Sequence, residues 1–127
     1  MNTYDLAKEF LEQKRYQIVE EDVDSGHIAF RYQMNTIHVW VNYEDENYFM
    51  MVLMGFADVD NDNIEEVHAK CLQISRDVKL VKMYTLQNVI LASAELFYLD
   101  KADFNFQVEN ALKYIIKAKV MYKQLDE

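Results

Sequence analysis

Between Thr3 and Lys14 the apolar residues Leu6, Ala7, Phe10 and Leu11 fall on one stripe, while Lys8, Glu9, Glu12 and Gln13 face away. That spacing predicts an amphipathic helix. From Tyr16 to Tyr43 the period changes to two, and β-branched and aromatic residues become frequent, which predicts strands. Asp24-Ser25-Gly26 reads as a hairpin turn, because glycine takes the positive φ that a short connection demands. Further breaks near Gln33 to Asn35 and at Glu44-Asp45-Glu46-Asn47 leave four strands, over about 17–23, 27–33, 36–43 and 48–57. From Asn63 to Val78, residues Ile64, Val67, Cys71, Ile74 and Val78 recur at spacings of three and four, the apolar seam of a second helix. Asp62 is the expected N-cap, with Glu65 as an acidic partner in the capping box. Two strands follow, about Val81 to Leu86 and Val89 to Tyr98, turning at Gln87-Asn88. A last helix starts at Asp100 and buries Phe104, Val108, Leu112, Ile115 and Ile116.

The order is therefore α-ββββ-α-ββ-α, an α+β fold with a mostly antiparallel sheet flanked by helices. If the turn after Glu44 pairs Tyr43 with Tyr48, Val41 meets Met50, Val39 meets Val52 and Ile37 meets Met54 on a wholly apolar face suited to the helices. The reverse face then sets Trp40 by Met51, His38 by Leu53 and Asn42 by Phe49. A patch of Trp40, Phe49, Met51, Leu53 and His38 admits two readings. Either the third helix or a curled sheet covers it as a second layer, or it is an association surface for a partner or a second copy.

With 127 residues the chain fits one domain over residues 1–127. Half of its residues are hydrophobic and none is proline, which places it far from the disordered class. A net charge of −9 repels phosphate backbones and anionic lipid, so nucleic acid and membrane are poor partners and basic proteins are better ones. The same charge argues against base stacking on exposed sheet aromatics. One cysteine, Cys71, excludes an intrachain disulfide and fits a cytoplasmic protein. Asn2 to Arg15 lacks the apolar stretch of a signal peptide, and the run Phe49 to Ala57 is too short to span a bilayer as a helix.

Chemistry is hard to place on these residues. Asp58-Val59-Asp60-Asn61-Asp62 imitates the alternating acids of a calcium loop, but Asn63 stands where that loop needs glycine and Ala69 where it needs the closing glutamate. His68 and Cys71 share a helical face, yet Cys71 lies in the apolar seam and no acid is placed to orient the histidine. His27 and His38 sit on strands that can bring them together, and two histidines without a third ligand make a weak zinc site. Gly26 and Gly55 form no phosphate loop, and Gly55 reads as a bulge or close backbone approach. No catalytic, cofactor or metal residue is therefore assigned.

Three stretches carry a resemblance: Gly26-His27-Ile28-Ala29-Phe30-Arg31-Tyr32, Glu65 to Tyr84, and Val89-Ile90-Leu91-Ala92-Ser93-Ala94-Glu95-Leu96. With the element order, they make the chain similar, over about Tyr4 to Ala118, to the YbjN family, whose fold is the type III secretion chaperone-like fold. The resemblance implies a bacterial, cytoplasmic, non-enzymatic binding protein of chaperone-like or regulatory role, commonly dimeric, whose partner is another protein or itself and which carries no cofactor. The alternatives are a small-ligand sensor or a small enzyme with an acidic or Cys71-centred site.

Overall fold

Each helix forms where the apolar stripe lies and stops where a cap or turn ends it. In a computed structural model, which describes residues 1–125, α1 runs Thr3–Lys14, with the Asn2 side chain accepting the Asp5 N–H at 2.8 Å. It ends at Arg15, whose φ of 60° is left-handed and whose N–H returns to the Glu12 carbonyl. Strands β1 Ile18–Asp22, β2 His27–Tyr32, β3 Asn35–Val41 and β4 Tyr48–Met54 follow, then α2 Ile64–Asp77, β5 Lys82–Leu86, β6 Val89–Phe97 and α3 Lys101–Gln124. The order is the one expected, α-ββββ-α-ββ-α, and the strands form one six-stranded sheet in the order β1-β2-β3-β4-β6-β5.

The expected cap at Asp100 is present, with its carboxylate accepting the Asp103 N–H at 2.8 Å. The expected cap at Asp62 is not. Asn63 occupies that position and makes no side-chain cap bond, because its Oδ1 accepts the Asp60 N–H at 2.8 Å instead, while Asp60 Oδ1 collects the N–H groups of Asp62 and Asn63 at 2.8 and 3.0 Å.

The described residues divide into two compact units, one of Met1–Met51 with Glu95–Glu109, the other of Val52–Ala94 with residues 110–125. In the second unit α2 packs along β5, where Ser75 Oγ accepts the Met83 N–H at 2.7 Å and donates to the Met83 carbonyl at 3.2 Å. That hydroxyl occupies backbone groups which a sheet edge would otherwise offer to another chain. Gly55 has a φ of 72° and nothing within 4 Å of an added Cβ, so its backbone angle calls for glycine and no close approach does.

In the first unit the pairing of β2 with β3 puts Ile28 opposite Val39 and Phe30 opposite Ile37. Ala7, Phe10 and Leu11 of α1, with Phe104 and Val108 of α3, gather around Phe30 and Val39 to form the core. Tyr16 stacks on Phe30 at 5.9 Å, closing the end of that core next to α1.

The predicted face of β4 is corrected by the structure. Phe49 and Met51 are completely buried and Leu53 nearly so, whereas Met50 is half-buried and Met54 is exposed. Only Val52, of the three residues assigned to the helix-covered face, is buried as expected. The cause lies in the connection: β3 ends at Val41, residues 42–47 form a loop, and Asn47 enters β4 with a left-handed φ of 64°. A hairpin pairing Tyr43 with Tyr48 is not formed, and a change of one residue in strand entry turns every side chain to the other face.

Two turns yield measurable consequences. Gly26 has a φ of 74°, and an added Cβ would lie 2.7 Å from Val41 Cγ2 and 2.8 Å from the Val41 carbonyl oxygen. Gly26→Ala is expected to lower unfolding free energy by about 2–3 kcal/mol in urea titration. Gln33 and Met34 form the two-residue turn joining β2 to β3 with φ of 48° and 66°, the angles of a type I′ turn occupied by residues poorly suited to it. Replacing them with Asn-Gly is expected to raise stability by about 1 kcal/mol in the same assay.

Candidate functional site

Opposed residues in an antiparallel pair share a face. His27 lies opposite Trp40, Ala29 opposite His38, and Arg31 opposite Thr36. From β1, Asp22 lies opposite His27 and Glu20 opposite Ala29. These residues occupy the face turned away from the core described above, and neither α1 nor the first turns of α3 packs on it.

Trp40 stacks on His27, ring centroids 4.1 Å apart and planes inclined by 24°. His27 is only 6% exposed although no helix of its unit covers it. Its Nε2 meets His38 Nδ1 at 2.8 Å, so one proton bridges the two rings, and the bond satisfies polar atoms whose desolvation would otherwise be costly. The two imidazoles are nearly parallel, inclined by 13°. Burial holds the His38 pKa below the ordinary histidine value; His27 lowers it further and Glu20 partly opposes both.

The same face continues into β4 and β6. Because Phe49 points into the core against Phe104 (4.8 Å) and Tyr98 (6.2 Å), its neighbours Tyr48 and Met50 point outward. Tyr48 donates to Glu95 Oε1 at 2.7 Å and packs on Phe97 at 5.3 Å. Phe97 is 64% exposed. The result is an apolar and aromatic strip of Trp40, Met50, Tyr48 and Phe97 beside the acidic Glu20, Asp22 and Glu95. Arg31 is engaged locally, donating to Thr36 Oγ1 at 2.7 Å and to the Met34 carbonyl at 3.0 Å.

Of the residues singled out from sequence, Trp40 and His38 lie on this face. Phe49, Met51 and Leu53 are core side chains and cannot meet a partner without unfolding. Tyr48, Met50 and Phe97 replace them. Phe97 was hidden in the run Leu96-Phe97-Tyr98, where buried and exposed positions alternate although the hydropathy does not.

The other constellations have structural uses. His68 Nε2 lies 3.0 Å from Thr85 Oγ1, and Cys71 is buried, which pushes its thiol pKa up and disfavours the thiolate. A shallow groove of about 300 Å³ runs past them, lined in part by Leu72, Ser75 and Tyr84. In the Asp58 to Asp62 segment, Asn63 Oδ1 accepts the Asp60 N–H at 2.8 Å and Asn63 Nδ2 donates to the Asp58 carbonyl at 2.9 Å, so the polar atoms serve the helix entry. Among the described residues no group of three or more His, Cys, Asp or Glu could hold a metal ion, and no helix is long and apolar enough to cross a membrane.

The fold is that of the YbjN and type III secretion chaperone class. Among solved structures, the chain is similar to E. coli YbjN, provisionally described as a transcription regulator, with a TM-score of 0.75 at 12% identity over 99% of this chain and 97% of that one. It is also similar to the Yersinia pestis type III secretion chaperone SycH, solved in complex with a stable fragment of YscM2, with a TM-score of 0.63 at 15% identity over 94% of this chain and 99% of that one. No protein-family model and no curated protein matches the sequence.

Stability should respond to pH through this site. A histidine whose folded pKa is lowered binds fewer protons folded than unfolded, so stability is complete above the unfolded value and declines as pH falls through about 6.5 toward the folded value. The melting temperature should therefore drop on acidification across that window, and His38→Asn should flatten the slope there.

Proposed function

We propose that this chain is a single-domain, non-enzymatic protein-binding module of chaperone-like or regulatory type, acting in the cytoplasm and engaging another protein through the sheet face around Trp40. The observation that supports it is the aromatic strip itself. Trp40, Tyr48 and Phe97 are residue types enriched where proteins associate, and they lie on a strand surface that no helix of their unit covers. The flanking Glu20, Asp22 and Glu95, with a net charge of −9, favour a partner that offers an apolar anchor within a basic surround. The solved chaperone of the same fold was captured with a protein fragment, which supports the binding reading, and the lone buried Cys71 suits a reducing compartment.

The test is affinity capture from extract of the source cell, comparing the native chain with Trp40→Glu, alongside light scattering of the purified protein over a concentration series. A charge at the centre of the strip should weaken the captured interaction about tenfold or more while circular dichroism stays unchanged. Loss of a dimer in the variant would identify the partner as a second copy. Equal capture and equal mass for both proteins would refute the assignment of this face.

A further inference from the structure

The His27–His38 pair has no evident need to be a pair. A sheet face can be stabilised by apolar or hydroxyl cross-strand neighbours, yet here two titratable rings share a proton at 2.8 Å beneath the only tryptophan of the chain. The geometry allows one hydrogen between the facing nitrogens. If both facing nitrogens carry hydrogens, two donors oppose each other, so the bridge must break.

We propose that His27 and His38 form a proton-operated latch on the docking face. At neutral pH the bridge holds His38 against His27. Each neutral ring carries one hydrogen; a first proton from solvent, bound at the outer nitrogen of the donor ring, leaves the bridge intact, and a second, bound at the accepting nitrogen, breaks the N–H···N bond and leaves two adjoining cations. His38, the more exposed of the two, then turns outward, while His27 stays under Trp40, where an imidazolium beneath an indole face is favourable. The surface beside Trp40 thereby changes shape and gains positive charge. The charged or titratable groups bearing on the pair are Glu20 and Asp22 of β1 and Arg31 of β2; Tyr48 of β4 and Glu95 of β6 lie further along the face. Glu20 favours protonation of His38, and the adjoining His27 ring opposes it. The consequence for binding rests on the reading that this face docks a partner with a basic surround: acidification would release such a partner.

Because Trp40 is the only tryptophan, its fluorescence reads the latch with no partner present. Protonated imidazole quenches indole emission, so the native protein should lose Trp40 intensity in a step between about pH 8 and 5. In His38→Asn the side-chain oxygen can accept in place of Nδ1 but does not titrate, so no second ring takes up a proton and acid cannot break the bridge. The part of the step that reports the broken bridge should therefore be absent from the variant. The His38 Cε1–H resonance of the native protein provides a reading independent of any variant: it should shift only below the ordinary histidine range. Quenching curves that coincide in native and variant proteins, or a His38 resonance that titrates at the ordinary histidine position, would overturn the latch. These readings stand apart from the capture experiment, so a failed docking face and a failed latch give different results.

Discussion

The site depends on how β4 enters the sheet. Asn47, in a left-handed conformation, is clamped to Tyr98 twice, receiving the Tyr98 N–H at 3.0 Å and donating its side-chain amide to the Tyr98 carbonyl at 2.8 Å. Tyr98 in turn shares a buried hydrogen bond of 2.7 Å with Thr3 Oγ1 at the start of α1. With the strand entry held there, Phe49 has one place to go, against Phe104 and Tyr98. Every other side chain of the strand then follows by alternation. The outward positions of Tyr48 and Met50, and hence the composition of the aromatic strip, are consequences of that loop and its clamp.

The helices and most turns were legible because their signals are local. Leu6, Phe10 and Leu11, or Val67, Cys71 and Ile74, mark a buried stripe whatever packs against it, and Gly26 announces a φ that other residues resist. The meeting of His27 and His38 could be anticipated too, since a short hairpin must bring two such strands together. Strand β4 was different. Phe49-Met50-Met51-Val52-Leu53-Met54 is apolar at each position, so its hydropathy carries no alternation and says nothing about which side is inside. The decision lay in the Asn42 to Asn47 loop and in a contact with Phe104, distant in the chain. Placing Phe49, Met51 and Leu53 on a binding face followed from assuming a tighter turn. Trp40 and His38 lie on the face turned from the core because β3 alternates clearly between Ile37, Val39 and Val41 on one side and polar or amphipathic residues on the other. The cap of α2 was displaced for a similar reason. Asp60 and Asn63 bond each other's N–H groups in a local turn, and the helix starts one residue later than expected, at Ile64.

The open face therefore combines two properties that stability alone would not select. Large aromatic rings remain at the surface although this chain buries other aromatics efficiently, Phe30, Phe49 and Phe104 being fully enclosed. Beneath Trp40, His27 is removed from water and His38 partly so, at a desolvation cost that their hydrogen bond offsets while it holds. An apolar pair at these positions would avoid that cost and leave the sheet insensitive to pH over the histidine range. On the proposed reading, the His27–His38–Trp40 cluster would couple the uptake of protons to the shape of the face assigned to partner binding.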